Sequence, residues 1–302
     1  MISLKPLLYF SLFKYPLTKE EVIAFSNTEN ANTIHKELDT LVEDGIIYKI
    51  KDFYSCENDA SQIERRVAGN EGARKIAKKA DRMSRLISKF PFVEGVGISG
   101  ALSKGFFDKD GDIDFFIITS KQRLWIARTL LILFKKIFLL NSKKYFCVNY
   151  FISENSLEIE EKNLFTATEL VTLIPMYGNG SFKKFYDTNT WAYTTFPNKE
   201  FGQGLGALKP IHKPAITRFA EKVLHSKMGE KLDTFFLKLT YKKWKLKFSD
   251  MNPDQFNIAM KSTKSVSKHH PQGFQNKVIT RLNEKYIVYE NKYDITLNKE
   301  HA

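Results

Sequence analysis

Two aspartates stand two positions apart at the head of an apolar run in residues 111–119. Because a strand sends alternate side chains to the same face, Asp112 and Asp114 would both point to one side of a sheet. Two carboxylates placed in this way repel each other unless a cation lies between them. Mg²⁺ binds one or two carboxylates together with substrate phosphates, so the pair predicts a site for Mg²⁺ or Mn²⁺.

A turn rich in small residues precedes this pair by about ten positions. It follows an apolar segment and contains Ser99, Gly100, Ala101, Ser103 and Lys104. Successive backbone N–H groups in such a turn can bind the oxygens of a phosphate group. We therefore predict that these five residues bind the triphosphate of a nucleotide.

The order of strand, glycine-containing turn and Asp-x-Asp motif resembles the core of the DNA polymerase beta-type nucleotidyltransferase superfamily. The resemblance covers residues 90–175. It implies that Asp112 and Asp114 hold two metal ions, one on the triphosphate of an NTP such as ATP and one on the attacking hydroxyl. The implied reaction is the Mg²⁺-dependent transfer of a nucleoside monophosphate from the NTP to an acceptor.

The chain differs from the family's motif at three places. Ala101 stands where the family has serine, and Gly111 stands where serine often precedes the aspartates. The family's third carboxylate has no counterpart on the strand predicted at residues 144–153, and the nearest candidates for a third ligand are Asn149 and Glu154. Two alternatives therefore stay open: a nucleotide-binding regulator of the same fold with weak or no transferase activity, and a nucleic-acid-binding regulator.

The first 57 residues predict three helices followed by a short hairpin. Thr18 and Glu21 have the spacing of a capping box, and the third helix is predicted to stop at Gly45. The pattern resembles a winged helix-turn-helix domain. Acidic side chains outnumber basic ones in residues 1–57, whereas a DNA-reading domain needs positive charge, so a protein-contact or domain-packing role is favoured.

The rest of the chain divides into three parts by its periodicity. Residues 58–89 predict a basic connecting helix, interrupted around Gly69 and Gly72. Residues 90–175 predict a nucleotidyltransferase-like mixed sheet with helices, and residues 176–302 predict a basic, mostly helical region that begins with an aromatic-rich loop. The expected fold class is α+β, with an N-terminal winged helix, the central sheet and the C-terminal helical region.

The composition limits the class of protein. The chain has 302 residues, of which 43% are hydrophobic, and its two cysteines lack the spacing of a disulfide framework or a zinc site. The apolar stretch 124–140 contains Arg128, Lys135 and Lys136, which favours a buried helix over an integral membrane span. Since the N-terminus does not read as a signal peptide, we expect a cytoplasmic protein.

The formal net charge is +13, and most of the excess lies in residues 201–302. A positive field of this kind concentrates anions near the surface. Besides the NTP, the sequence therefore favours an anionic acceptor, which could be RNA, a nucleotide-linked or other small molecule, or a protein.

Overall fold

The structure is a computed structural model that describes residues 1–202 and 204–301. Within them the chain forms a three-stranded sheet near the N-terminus and a five-stranded sheet in the middle, with helices packed around both. The expected α+β class is thereby confirmed.

Residues 1–57 form an N-terminal unit of short helices and strands. Its elements in chain order are α1 (Leu4–Ser11), β1 (Leu17–Thr18), α2 (Lys19–Ala24), α3 (Ala31–Glu43), β2 (Tyr48–Ile50) and β3 (Phe53–Ser55). The strands are antiparallel in the order β1-β3-β2. Thr18 and Glu21 form the predicted capping box at the start of α2, and Gly45 follows α3 with a φ of +67°.

The next element, α4 (Ala60–Ser88), is one continuous helix, so the interruption expected at its glycines is wrong. A Cβ at Gly69 would lie 2.1 Å from the Phe106 ring, and a Cβ at Gly72 would lie 2.1 Å from the Phe107 carbonyl oxygen. The two glycines therefore let the loop at residues 106–107 pack directly against the helix backbone. The glycines are required by the close approach of this loop to the helix, and they do not break the helix.

Five strands make up the central sheet. They are β4 (Val93–Ser99), β5 (Asp114–Thr119), β6 (Cys147–Ser153), β7 (Ile174–Gly178) and β8 (Val266–Lys268). The strand order is β7-β4-β5-β6-β8. Strands β5 and β6 are parallel, and the other neighbouring pairs are antiparallel. A parallel pair needs a crossover connection, which a helix between β5 and β6 supplies.

The helices beyond α4 flank this sheet or extend from it. They are α5 (Gly100–Ser103), α6 (Leu124–Phe138), α7 (Leu164–Val171), α8 (Ser181–Thr188), α9 (Trp191–Thr195), α10 (Ala215–Leu224), α11 (Lys227–Lys247), α12 (Pro253–Ala259) and α13 (Phe274–Tyr293). The crossover helix is α6.

The aromatic-rich loop expected from residue 176 onward is wrong, because the chain there forms the end of β7 and then α8 and α9. Phe182, Phe185 and Tyr186 are spaced to share one helix face, and all three are buried in the core. The boundary expected at residue 175 falls inside β7, and β8 joins the sheet from the C-terminal region. The C-terminal region thus contributes the edge strand β8 and most of the other edge strand, β7, to the central sheet.

Hydrophobic cores lie on both faces of the central sheet. Phe116 and Ile118 on β5 point into one core, which also includes the N-terminal unit, α7, α8 and α13. Phe115 and Ile117 point into the other, against α4 and α6. The alternation along β5 follows from the two-residue repeat of a strand.

Helix α6 packs its apolar face into the second core, where Trp125 and Leu131 are fully buried. This agrees with the buried helix predicted at residues 124–140. Among residues 1–202 and 204–301, no helix combines the length and the apolar character needed to cross a bilayer.

Candidate functional site

Asp114 is the first residue of β5 and lies between the ends of two neighbouring strands. It pairs with Ser99, the last residue of β4, on one side and with Cys147, the first residue of β6, on the other. Asp112 lies two residues earlier, in the segment that leads into β5. The carboxylate oxygens of Asp112 and Asp114 and the Cys147 sulfur lie within 4.8 Å of one another. The structure therefore brings the two predicted aspartates together and adds a thiol to them.

Gly100 places the predicted phosphate-binding turn in direct contact with these acids. Its φ is +68°, a left-handed conformation that L side chains rarely adopt, and a Cβ on it would lie 2.5 Å from the Asp114 Oδ2 atom. The missing side chain allows the carboxylate to lie against the turn. No packed apolar group separates Asp114 from Gly100.

The remaining residues of the turn form a small hydrogen-bonded unit around α5. The Ser103 hydroxyl donates to the Gly100 carbonyl oxygen at 2.9 Å, and the Lys104 ammonium donates to the same oxygen at 3.1 Å. Ala101, in contrast, is exposed and lines the cleft. The predicted nucleotide-binding residues thus lie together, but the Ser103 hydroxyl is engaged within the turn.

Glu169 on α7 also contacts this turn. One of its carboxylate oxygens accepts a hydrogen bond from the Gly100 N–H at 3.3 Å, and the other accepts one from the Lys104 ammonium at 2.7 Å. Glu169 is not among the residues that the sequence motif indicates. Nothing in its local pattern distinguishes it from a solvent-facing helix acid, and only the packing of α7 brings it to the turn.

The two candidates for a third ligand have different positions. Asn149 lies at an irregularity in the pairing of β5 with β6, and its side-chain amide donates to the Asp114 Oδ1 atom at 2.9 Å. Glu154 follows Ser153, which pairs with Thr119 at the far end of β5. The expectation for Glu154 is wrong, because parallel register puts it a full strand length from Asp114.

The electrostatics of the cluster favour a bound cation. Burial, together with the negative charges of Asp112 and Glu169, raises the pKa of Asp114 to about 7. Burial and the two aspartates also raise the pKa of the Cys147 thiol, which keeps it neutral. Lys104, the lysine of the turn, is paired with Glu169. A divalent cation would lower the energy of the ionised aspartates.

The donor set fits a hard divalent cation better than a soft one. Asp112 and Asp114 offer carboxylate oxygens, which suit Mg²⁺ and Mn²⁺, and phosphate oxygens or water would complete the coordination. A neutral, buried thiol is a poor ligand for Mg²⁺. We therefore expect that Cys147 would not be a ligand if Asp112 and Asp114 held such an ion.

The acidic cluster opens into a large cleft of about 1860 Å³. One wall comes from the N-terminal unit, with Tyr9, Phe10 and Phe13 on or next to α1. The Tyr15 hydroxyl donates to the Lys104 carbonyl oxygen at 3.0 Å, which fixes the turn to this unit. Sites for single small molecules usually measure about 300 to 1000 Å³, so the cleft has room for a nucleotide and a second molecule.

Comparison with known proteins adds no relative. No family model matches the chain, and it has no significant match among curated proteins or solved structures.

Proposed function

We propose that the protein is a Mg²⁺-dependent nucleotidyltransferase that moves a nucleoside monophosphate from an NTP to the hydroxyl of an acceptor. The observation that carries this proposal is the convergence of Asp112 and Asp114 on the Gly100 turn. A phosphate-binding turn and a pair of metal-binding acids are the two parts that such a transfer needs. The resemblance of residues 90–175 to the DNA polymerase beta-type superfamily points to the same reaction.

In this proposal, Asp112 and Asp114 hold the metal ions, and the Gly100 turn binds the triphosphate through its backbone N–H groups. Lys104 neutralises phosphate charge. The acceptor oxygen forms a bond to the α-phosphorus and gives up its proton to water, the bond from that phosphorus to the bridging oxygen breaks, and pyrophosphate leaves. When bound by Asp112 and Asp114, metal ions would neutralise charge on the attacking and leaving oxygens.

Glu169 would have to release the turn before a triphosphate could bind there. Its two oxygens accept hydrogen bonds from Gly100 and Lys104, the groups that the proposal assigns to phosphate. A carboxylate in this position is an acceptor with the same sign of charge as a phosphate oxygen. Binding of the NTP would therefore free Glu169, which lies close enough to Asp114 to affect its pKa.

The N-terminal unit resembles a winged helix in its order of elements, and we propose that its role is to build the cleft. Its Tyr9, Phe10 and Phe13 side chains line the cleft, and Tyr15 holds the turn. Helix α3, the counterpart of a DNA-reading helix, carries more acidic than basic residues. Such a surface is unfavourable for binding phosphates of DNA.

A second candidate function is a nucleotide-binding regulator that transfers slowly or not at all. It is favoured by Cys147, which lies beside Asp114 at the start of β6 with its pKa raised and its thiol neutral. A neutral thiol cannot replace the third carboxylate that helps activate the attacking hydroxyl. Nucleotide binding would survive this difference, whereas turnover would suffer.

The test is pyrophosphate release from ATP, CTP, GTP and UTP with Mg²⁺ or Mn²⁺ and a panel of acceptors. Loss of a metal-binding acid should lower the rate at least about 100-fold in Asp112→Asn. Asp110→Asn is the matched control, because Asp110 is an exposed acid of the same loop that does not line the cleft. It should keep the wild-type rate.

Other outcomes separate the alternatives. Nucleotide and Mn²⁺ binding without pyrophosphate release would establish the regulator in place of the transferase. Binding of DNA or RNA that falls steeply with salt and survives loss of both aspartates would establish a nucleic-acid-binding regulator. Absence of any nucleotide or Mn²⁺ binding would overturn both nucleotide-based functions.

A further inference from the structure

A second group of charged residues, from α6, the segment after it and α11, lines the same cleft. It consists of four basic side chains, here called the basic cluster: Arg128, Lys135, Lys143 and Lys247. Arg128 and Lys135 come from α6, Lys143 follows that helix, and Lys247 ends α11. Across the chain as described, which omits only positions 203 and 302, no carboxylate forms an ion pair with any of the four.

Two members of the basic cluster are deeply buried. Arg128 and Lys135 are each only 8% exposed. Arginine and lysine are almost never buried to this extent without a partner, because removing a charge from water is costly. Burial lowers the pKa of Arg128 to about 10, so its guanidinium stays charged at neutral pH.

Aromatic packing explains the position of Arg128 but leaves its donors free. Its guanidinium lies 4.7 Å from the centre of the Trp244 ring and 5.5 Å from that of Trp125. These contacts engage the face of the planar group, while its N–H donors lie in the plane and point elsewhere. Donors held rigidly at the wall of a cleft are suited to two-point contact with a phosphate.

The neighbouring groups show that the local potential is positive. Burial lowers the pKa of Lys135, and the charges of Lys143 and Arg128 contribute to the same effect. His269, whose ring packs on Trp244 at 4.9 Å, has its pKa lowered to about 3 by burial and then by Arg128. An anion among these side chains would relieve the repulsion between the cations.

The basic cluster and the Gly100 turn line the same cleft from different elements. The turn follows β4, the aspartates lead into β5, and Cys147 begins β6, against which α6 packs. An anion at the basic cluster would thus share the cleft with a triphosphate bound at the Gly100 turn.

We propose that the basic cluster binds a phosphate group of the acceptor, so that the acceptor is a small phosphorylated molecule. The assignment to the acceptor rests on the proposed transferase function, whereas the anion site itself does not. The two deepest cations lie at the cleft wall with little exposed surface, which suits one terminal phosphate. A polymer backbone would need a row of exposed cations along a surface groove. The phosphate is held in place and does not react.

The test measures binding of inorganic phosphate and of glycerol phosphate by calorimetry at constant ionic strength, without nucleotide or metal. Both should bind at one shared site and compete with each other. Because each loses a charge-assisted hydrogen bond, Lys135→Gln and Arg128→Gln should weaken binding about tenfold. Lys238→Gln is the matched control, since Lys238 is an exposed α11 lysine outside the cleft, and it should bind as the wild type does.

The outcomes separate this inference from the proposed function. Asp112→Asn should bind inorganic phosphate normally even though it loses transferase activity. The phosphate site and the transferase function are therefore tested separately. Equal phosphate binding by wild type, Lys135→Gln and Arg128→Gln would overturn the site, as would no binding by the wild type. Circular dichroism identifies a variant that fails to fold, and Lys135→Gln then decides the question because its side chain ends at the cleft. If only a single-stranded oligonucleotide binds and loses affinity in Lys135→Gln, a small phosphorylated acceptor is excluded.

Discussion

At the scale of single residues, the site depends on an atom that is absent. Gly100 has no Cβ, and the space that a Cβ would fill lies 2.5 Å from the Asp114 carboxylate. The same residue has a φ of +68°. Gly100 therefore meets two separate requirements, one for backbone conformation and one for the approach of the acid to the turn.

We expect Gly100→Ala to destabilise the protein and to weaken Mn²⁺ binding. Positive φ alone costs an alanine about 1 to 2 kcal/mol, and the clash with Asp114 adds to this cost. Gly45→Ala is the matched control, because Gly45 has a φ of +67° with nothing within 4 Å of the Cβ position. Urea unfolding and Mn²⁺ titration of both variants measure the two effects.

The control variant should lose stability from backbone strain alone and should bind Mn²⁺ as the wild type does. Equal effects of the two alanines on stability and on Mn²⁺ binding would show that Asp114 does not depend on the space at Gly100.

At the scale of elements, two contacts show how neighbouring segments constrain a helix. One involves the glycines inside α4, and the other joins an acid of α11 to the start of α6. The Gly72 backbone meets the Phe107 carbonyl oxygen, and the loop that follows leads to Asp112. The Asp233 carboxylate of α11 accepts a hydrogen bond from the Ile126 N–H at 2.8 Å, within the first turn of α6. Each contact joins two elements that are far apart in the sequence.

Gly72→Ala should destabilise the protein, although helix propensity alone predicts stabilisation by about 1 kcal/mol. The new methyl group would lie 2.1 Å from a backbone oxygen, so the loop or the helix must shift. We expect a net loss of roughly 1 to 3 kcal/mol in urea unfolding. Ala77→Gly at an exposed position of α4 measures the propensity effect by itself. A gain in stability for Gly72→Ala would contradict the close packing of the loop.

Asp233→Asn should change the pH dependence of stability. Burial raises the pKa of Asp233 to about 6, above its value in the unfolded chain. The folded state then binds the proton more tightly, so the wild type loses stability as pH rises from about 4 to about 6. The asparagine keeps an acceptor for Ile126 and does not ionise.

The free energy of unfolding of Asp233→Asn relative to wild type should therefore increase across this range by roughly 1 to 3 kcal/mol. Thermal melts of both proteins at pH 4, 5, 6 and 7 provide the measurement. A difference that is constant with pH would show that Asp233 ionises as freely in the folded state as in the unfolded chain.

At the scale of the whole molecule, one hydrophobic core joins the two ends of the chain. It contains buried residues from Leu4 to Leu297 and includes the N-terminal unit, one face of the central sheet and α13. The Tyr289 hydroxyl donates to the Cys56 carbonyl oxygen, and Lys5 pairs with Glu300. The unit that lines the cleft is thus held by the C-terminal helix as well as by the sheet.

We expect Leu282→Ala to lower the stability of the N-terminal unit and the sheet together. Leu282 on α13 is fully buried, and its truncation should cost about 2 to 5 kcal/mol. Val288→Ala, at a position on the same helix that is 59% exposed, should cost little. Circular dichroism follows the whole chain during urea unfolding, whereas tryptophan fluorescence follows residues beyond 57, where all three tryptophans lie.

Both signals should move to lower urea with coincident midpoints in Leu282→Ala. Two separate transitions would show that the N-terminal unit is stabilised independently of α13.

The sequence by itself determined the local elements and the acids of the site. The capping pair Thr18 and Glu21 and the stop at Gly45 are confirmed, because caps and glycine turns depend on neighbouring residues. Asp112 and Asp114 lie close together, as strand alternation predicts, and their role stays a prediction. The α+β class follows from the same local periodicities.

Only the tertiary structure decided which distant groups meet. Glu169 reaches the turn, Cys147 lies beside Asp114 and Glu154 lies at the far end of the sheet because of helix packing and strand register. The glycines of α4 look like helix breaks in the sequence, and only the loop at residues 106–107 explains them. These contacts join residues far apart in the chain, and no local propensity encodes them, since their energy comes from burial and packing that exist only in the folded molecule.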